Sequence, residues 1–250
     1  ISGILGINVV MNDYIAIQKF AEIGEKVLPS VFMPPLYFYL IYIISLISND
    51  LFSTANLIIF FQILLSLISI IVFYKLVSII EKNEKYSIVL TLILSFFPIY
   101  VYSSSQISSI TLQIFLTIVY LFFLFKFQQK TKLKYLILLS LFSGLLILAR
   151  GEFILFYFLS IFYFFLFYKR DFKSILLSLI ITTLVVSPYL YRNYKNFKTI
   201  TITKSFGYNL LKGNNPTLKV EGNDEFVIDN YVRKKNLKIE TKNDYEIKLD

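Results

Sequence analysis

The sequence predicts an all-α protein: a polytopic bundle of transmembrane helices, with an external loop near its start and a polar segment at its end. Three observations carry that prediction. Of 250 residues, 56% are hydrophobic and the mean hydropathy is +0.67, a balance unlike that of water-soluble domains, which need polar surface. The apolar residues are gathered into long runs without charge: Ser87–Phe125, Tyr135–Ala149, Phe153–Tyr168 and Ser174–Tyr191. Short clusters of Lys, Glu and Arg separate these runs, as at the faces of a membrane.

In chain order, Ile1–Val10 reads as the last turns of a helix whose beginning is missing. Asn12–Leu40 is the first stretch that does not span. It carries Asp13, then a charged run in which Ile15, Ala16, Phe20, Ile23 and Val27 recur at helical steps. That is the pattern of an amphipathic helix in the interface. Pro34-Pro35 blocks helix until the first turn of the next element, where Pro is tolerated. Pro35–Ser48 is short for a crossing and reads as interfacial or re-entrant.

Thr54–Ile80 is long enough to cross and runs into Lys75, Glu81, Lys82, Glu84 and Lys85. Ser87–Phe125 is too long for one crossing. Pro98 and the polar patch Ser103–Ser109 (SSSQISS) divide it into spans at about 87–102 and 107–126. A basic loop with Lys126, Lys130, Lys132 and Lys134 follows. Tyr135–Ala149 then crosses to Arg150-Gly151-Glu152, Phe153–Tyr168 crosses back to Lys169, Arg170 and Lys173, and Ser174–Tyr191 is the last span. Residues 1–191 are thus read as a transmembrane domain with its first helix truncated and an external loop at about 11–53. Residues 192–250 are read as an external polar segment, truncated at its C-terminal end. In that segment Thr199–Thr203 (TITIT) alternates like a strand, Ser205–Pro216 is turn-rich, and Asp224–Glu240 is read as a surface helix.

Parity orders the loops. If Pro35–Ser48 does not span, Asp13, the SSSQISS turn, Arg150, Glu152 and the tail share one face. The loops at 75–85, 126–134 and 169–173 share the other, and their lysines make it cytoplasmic by the positive-inside rule. Arg192, Lys195, Lys198 and Lys204 are then basic residues on the outside, against the trend.

With no Cys and no His, disulfides, thiol nucleophiles, zinc sites built on imidazole or thiolate, and a Ser-His-Asp triad are excluded. Catalysis must rest on Asp, Glu, Lys, Arg, Tyr and amides; a divalent metal stays open, with no motif that indicates one. The net charge of +9 sets topology and attracts anionic lipid; no nucleic acid partner is expected.

Asn12-Asp13-Tyr14 followed by Pro34-Pro35-Leu36-Tyr37 resembles the first external loop of GT-C fold membrane glycosyltransferases. The closest group is the protein O-mannosyltransferase and aminoarabinose-transferase-like branch, the dolichyl-phosphate-mannose-protein mannosyltransferase family. Gly144–Glu152 (GLLILARGE) is similar to that branch's helix ending in Arg-Pro-Glu, with Gly151 where Pro is usual. Ser187–Pro216 looks like its passage with Arg-Asn-Tyr, Gly-Tyr-Asn-Leu and Gly-Asn-Asn-Pro. In one departure, Ile110 stands where these proteins often carry Glu.

The resemblance implies transfer of a sugar, hexosyl or pentosyl, from a polyprenyl-phosphate carrier to an acceptor hydroxyl on a lipid, glycan or protein. It further implies a bacterial or archaeal plasma membrane, with the reaction on the external face. The lipid-linked sugar phosphate is then substrate, and no cofactor is identified. A carboxylate must accept or orient the acceptor proton, and cations must stabilise the departing phosphate. Asp13 is the candidate for the first task, and an ordinary interfacial carboxylate otherwise. Arg150 and Arg192 are candidates for the second, since a guanidinium fork suits phosphate; otherwise they snorkel at helix ends. Glu152 either pairs with Arg150, which needs a turn at Gly151, or sits at the start of the next helix. Tyr37, Asn209 and Asn214 are placed at the substrate site, with a loop-shaping role as the alternative. Two other classes stay open: a transporter or lipid flippase, and a non-catalytic member of the family.

Overall fold

The computed structural model describes residues 34–47, 51–168 and 172–204. They form α1 (Pro35–Ser45), α2 (Leu51–Ile80), α3 (Glu84–Ser95), α4 (Pro98–Ser104), α5 (Ile110–Lys130), α6 (Leu133–Ala149), α7 (Phe153–Tyr168) and α8 (Phe172–Phe197). No strand occurs among the described residues. Three helices, α2, α5 and α8, are long and apolar enough to cross a membrane, and α3 with α4 makes a bent fourth candidate.

Pro35 starts α1 at the first helical position, and Pro34 before it is extended at ψ 140°, as the residue preceding a proline must be. Tyr37, Ile41 and Ile44 are buried, a spacing that puts all three on one helix face. Tyr37 lies against Gln62 of α2. From there α1 returns alongside the first third of α2, and its 11 residues rise only about 16 Å. By itself it is too short to cross the hydrocarbon.

On α2 the buried positions Ala55, Ile58, Gln62, Leu65, Ser69 and Leu76 step by threes, fours and sevens, the seam of a helix packed on a neighbour. That neighbour is chiefly α5. Asn83 caps α3 by accepting from the Lys85 amide at 3.0 Å. The span expected at 87–102 is broken: α3 ends at Ser95, Phe97 is extended, and α4 leaves at 56° with Pro98 at its first turn. Proline cannot continue the helix behind it, so the break falls at Phe96-Phe97 rather than only at the serine-rich turn.

α6 and α8 run in the same direction and touch closely. Ser140 Oγ donates to Ser178 Oγ at 2.8 Å, Ser143 and Thr182 hydroxyls are 2.8 Å apart, and Tyr157 of α7 joins Ser178 at 2.9 Å. A Cβ on Gly144 would lie 2.7 Å from Val185 Cβ. Small residues and paired hydroxyls of this kind let helices associate in lipid, where burial of apolar surface gives no drive.

Two sequence expectations are corrected at α8. The helix does not give way to the tail near Arg192 but continues to Phe197, carrying Arg192 within its last turns. Pro188 therefore lies inside the helix, and Ser187 Oγ donates to Leu184 O at 3.2 Å, covering the carbonyl that a residue-188 amide would have served. Thr199–Thr203 is not a strand. Alternation needs a ladder partner to become a strand, and here an asparagine of α8 holds the segment instead. The helix stops at Lys198, whose φ of 58° closes the end.

At one end of the bundle Gln129 Nε2 donates to Ile79 O at 3.2 Å, clasping the ends of α2 and α5 beside the lysine loops. Climbing from that clasp, Ile79 to Gln62 on α2 and Gln129 to Thr111 on α5 are nearly equal numbers of residues. Each rises about 26 Å, close to the full depth of the hydrocarbon.

Candidate functional site

At the upper level four segments converge: the start of α1, the turn from Ser105 to Ser109, the link Arg150–Glu152, and residues 198–204. Irregular backbone at this depth has to be satisfied by protein or line a watered cavity. Gln62, fully buried, does this for the turn. Its Nε2 donates to Gln106 O at 2.8 Å and approaches Ser103 O, Ser108 O and Thr111 Oγ1 at 3.4 Å. Thr111 Oγ1 donates to Ser103 O at 2.9 Å, and Tyr100 OH to Ser66 O at 2.7 Å. Tyr37 OH donates to Gln62 Oε1 at 3.0 Å. Burial raises the Tyr37 phenol above its ordinary pKa, which keeps the hydroxyl protonated as that donor. Tyr37 thus serves packing in this structure: its ring is buried and its hydroxyl turned to Gln62.

Arg150 follows the end of α6 and is extended, φ −154° and ψ 118°, with its amide still bonded to Leu146 O. Gly151 and Glu152 complete the turn, and Phe153 N closes back on Arg150 O at 3.2 Å. The turn brings residues two apart together: Arg150 Nε lies 3.6 Å from Glu152 Oε2, with both side chains exposed, 48% and 80%. Arg150 Nη1 also donates to Gln113 Oε1 at 3.2 Å. A pair this exposed is worth at most about 1 kcal/mol, so its effect is to orient the guanidinium rather than to hold the fold.

Arg192 Nη1 donates to Asn193 Oδ1 at 2.8 Å, and its guanidinium sits 5.6 Å from the Tyr189 ring and 5.7 Å from the Phe197 ring. Asn193 is fully buried, and its Nδ2 donates to Thr201 O at 2.7 Å. This bond ties down the segment whose Ile202 and Thr203 side chains come within 3.8 Å of where a Cβ on Gly151 would be. The two arginines are therefore at one end of the bundle, linked through Asn193, Thr201 and the 151–203 contact.

Of the expected site residues, Arg150, Glu152 and Arg192 are brought to this end, and Tyr37 lies beneath it. Asp13, Asn209 and Asn214 lie outside the described residues. Ile110, standing where Glu was expected, opens α5 and is 43% exposed. No group of three or more His, Cys, Asp or Glu side chains gathers to hold a metal among the described residues.

The profile of the family described as dolichyl-phosphate-mannose-protein mannosyltransferase matches residues 33–191, well over half of the chain. The chain belongs to that family. It is accordingly a membrane glycosyltransferase of the mannosyltransferase type, built as an integral membrane helical bundle. The match takes in Pro34-Pro35, the SSSQISS turn, Arg150 and Glu152, and stops one residue before Arg192. No curated protein and no solved structure gave a match.

Sequence reasoning missed Gln62, Gln113 and Asn193 as members of this candidate site. Gln62 had a signal, being a lone amide in an otherwise apolar run (Leu57–Leu65, LIIFFQILL). Such a group is costly in hydrocarbon unless paired. Asn193 stood in the Arg-Asn-Tyr passage but was passed over for its neighbour.

Proposed function

We propose that this mannosyltransferase-family chain moves a sugar from a polyprenyl-phosphate carrier to an acceptor hydroxyl, at the end of the bundle that holds Arg150. The observation that carries the proposal is Arg150 itself. It is released from its helix, half exposed, oriented by Gln113 and Glu152, and lies within the segment that matches the family. In the reaction the bond between the sugar's anomeric carbon and the phosphate oxygen breaks, and a bond to the acceptor oxygen forms. The acceptor proton passes to the carboxylate of Asp13, and the polyprenyl phosphate leaves with its charge against Arg150 and Arg192. Cations aimed where charge develops are the larger contribution in such transfers. Glu152 keeps Arg150 turned toward the site, Tyr37 shapes its floor, and Asn209 and Asn214 line it.

The face is the external one. Lys75, Lys82, Lys85, Lys126, Lys130, Lys132 and Lys134 belong to the opposite end, which the positive-inside rule makes cytoplasmic. Sugar transfer by the full-length protein from a panel of radiolabelled polyprenyl-phosphate sugars tests the proposal, with Asp13→Asn alongside. One observation favours transport as the second reading: the span broken between α3 and α4, since discontinuous helices build transporter sites. Donor left intact across the panel by folded protein would shift the weight to it.

A further inference from the structure

The relation between α1 and the serine-rich turn carries an inference beyond the proposed reaction. α1 lies at the start of the described residues, and the turn adjoins Gln113, the partner of Arg150. The two come from the start and the middle of the matched segment. Gln62 touches both. Its carbonyl oxygen takes the Tyr37 hydroxyl at 3.0 Å, and its amide nitrogen reaches the Gln106 carbonyl at 2.8 Å and the Ser103, Ser108 and Thr111 oxygens at 3.4 Å.

The geometry points to Gln62 as a positioning residue: it locks α1 to the 103–111 turn and so sets the distance between α1 and the turn that leads to Gln113, the partner of Arg150. An amide suits this place because it offers an acceptor at one atom and two N–H donors at the other. A hydroxyl has one hydrogen and a carboxylate none, so neither could accept from the tyrosine while donating two hydrogen bonds into the turn. Thr111 repeats the tie within the turn by donating to Ser103 O at 2.9 Å. The chain below is held separately, by Tyr100 on Ser66 at 2.7 Å and by Gln129 on Ile79 at 3.2 Å. Loss of the Gln62 tie therefore loosens the upper end and leaves the bundle assembled.

Residues 1–250 hold no cysteine, so within them spin labels on introduced cysteines are site-specific. Labels at the exposed positions Tyr39 and Ser105 report the distance between α1 and the turn in the full-length protein in nanodiscs. One well-defined distance is expected in the parent, with a broadened or shifted distribution in both Gln62→Leu and Tyr37→Phe at unchanged monodispersity. An unchanged distribution in Gln62→Leu would overturn the inference. If Gln62→Leu does not fold, an unchanged distribution in Tyr37→Phe would overturn it in the same way. The kinetic readout rests on the proposed sugar transfer. There Gln62→Leu lowers kcat by about 100-fold, the loss expected of a displacement near 1 Å, with the smaller change in donor KM. Equal kcat would count against positioning. Absence of transfer in the parent protein would sink the reaction and leave the distance measurement standing as the test of the tie.

Discussion

Arg150 and Gln113 meet across two helices, Nη1 to Oε1 at 3.2 Å, at the level where the backbone of α6 leaves the helix. The contact gives the guanidinium a fixed direction while leaving it half exposed. Arg150→Ala is expected to lower kcat/KM for sugar transfer by about 100-fold or more, as when a donor to developing charge is removed. Its thermal unfolding should move little, because exposed ion pairs contribute at most about 1 kcal/mol. Gln113→Leu keeps the charge and frees its direction, so its loss should be the smaller. Paired kinetics and melting of the two variants check both statements.

Two glycines separate packing from flexibility. A methyl group on Gly144 would meet Val185 Cβ and Cγ1 at 2.7 Å, forcing α6 and α8 apart. Gly144→Ala should cost about 1–3 kcal/mol, the usual range for overpacking, seen as a lowered melting temperature. A methyl on Gly151 would find its nearest neighbours at 3.7 Å, ordinary contact distance, and no left-handed backbone angle demands glycine there. Gly151→Ala should melt with the parent protein.

Asn193 holds the chain that returns over Gly151. Its amide is fully buried and bonded to Thr201 O at 2.7 Å. Asn193→Leu should lower stability by about 1–3 kcal/mol, through the acceptor left unpaired. Faster hydrogen exchange across residues 198–204, with α2 and α5 unchanged, would mark the effect as local.

The parity of the helices predicts the labelling pattern of single cysteines. Ser105→Cys and Glu152→Cys should react with an impermeant maleimide from outside the cell. Lys82→Cys and Lys132→Cys should react only once the membrane is opened. Ser105→Cys and Lys132→Cys labelled from the same side would contradict the topology.

Much of the architecture could be read from uncharged runs, because hydrocarbon excludes charge whatever the helix packs against. Which face of each helix turns inward could not. Lipid is as apolar as a protein core, so the buried Leu136, Leu139 and Leu146 and the exposed Leu133, Ile137 and Leu141 of α6 look alike in sequence. The reach of α8 to Phe197 was hidden for the opposite reason: its last turns carry Arg192, Asn193 and Lys195, and the apolar signal ends before the helix does. The turn at Arg150–Glu152 was legible from Gly151 and the charges beside it. Gln62 was harder, since it acts on backbone carbonyls far along the chain that no local pattern reveals, and Asn193 was harder because its partner, Thr201 O, lies past a helix end that the apolar signal does not mark. Asp13, Asn209 and Asn214 remain the sequence's own candidates.

Sugar transfer by full-length protein from radiolabelled polyprenyl-phosphate donors, with Asp13→Asn and Arg150→Ala beside it, is the most direct test of the central claim. The account predicts consumption of at least one donor by the parent chain, lost in Asp13→Asn and strongly reduced in Arg150→Ala, with all three proteins folded. Full transfer by folded Asp13→Asn, or no consumption of any donor by the parent, would contradict it.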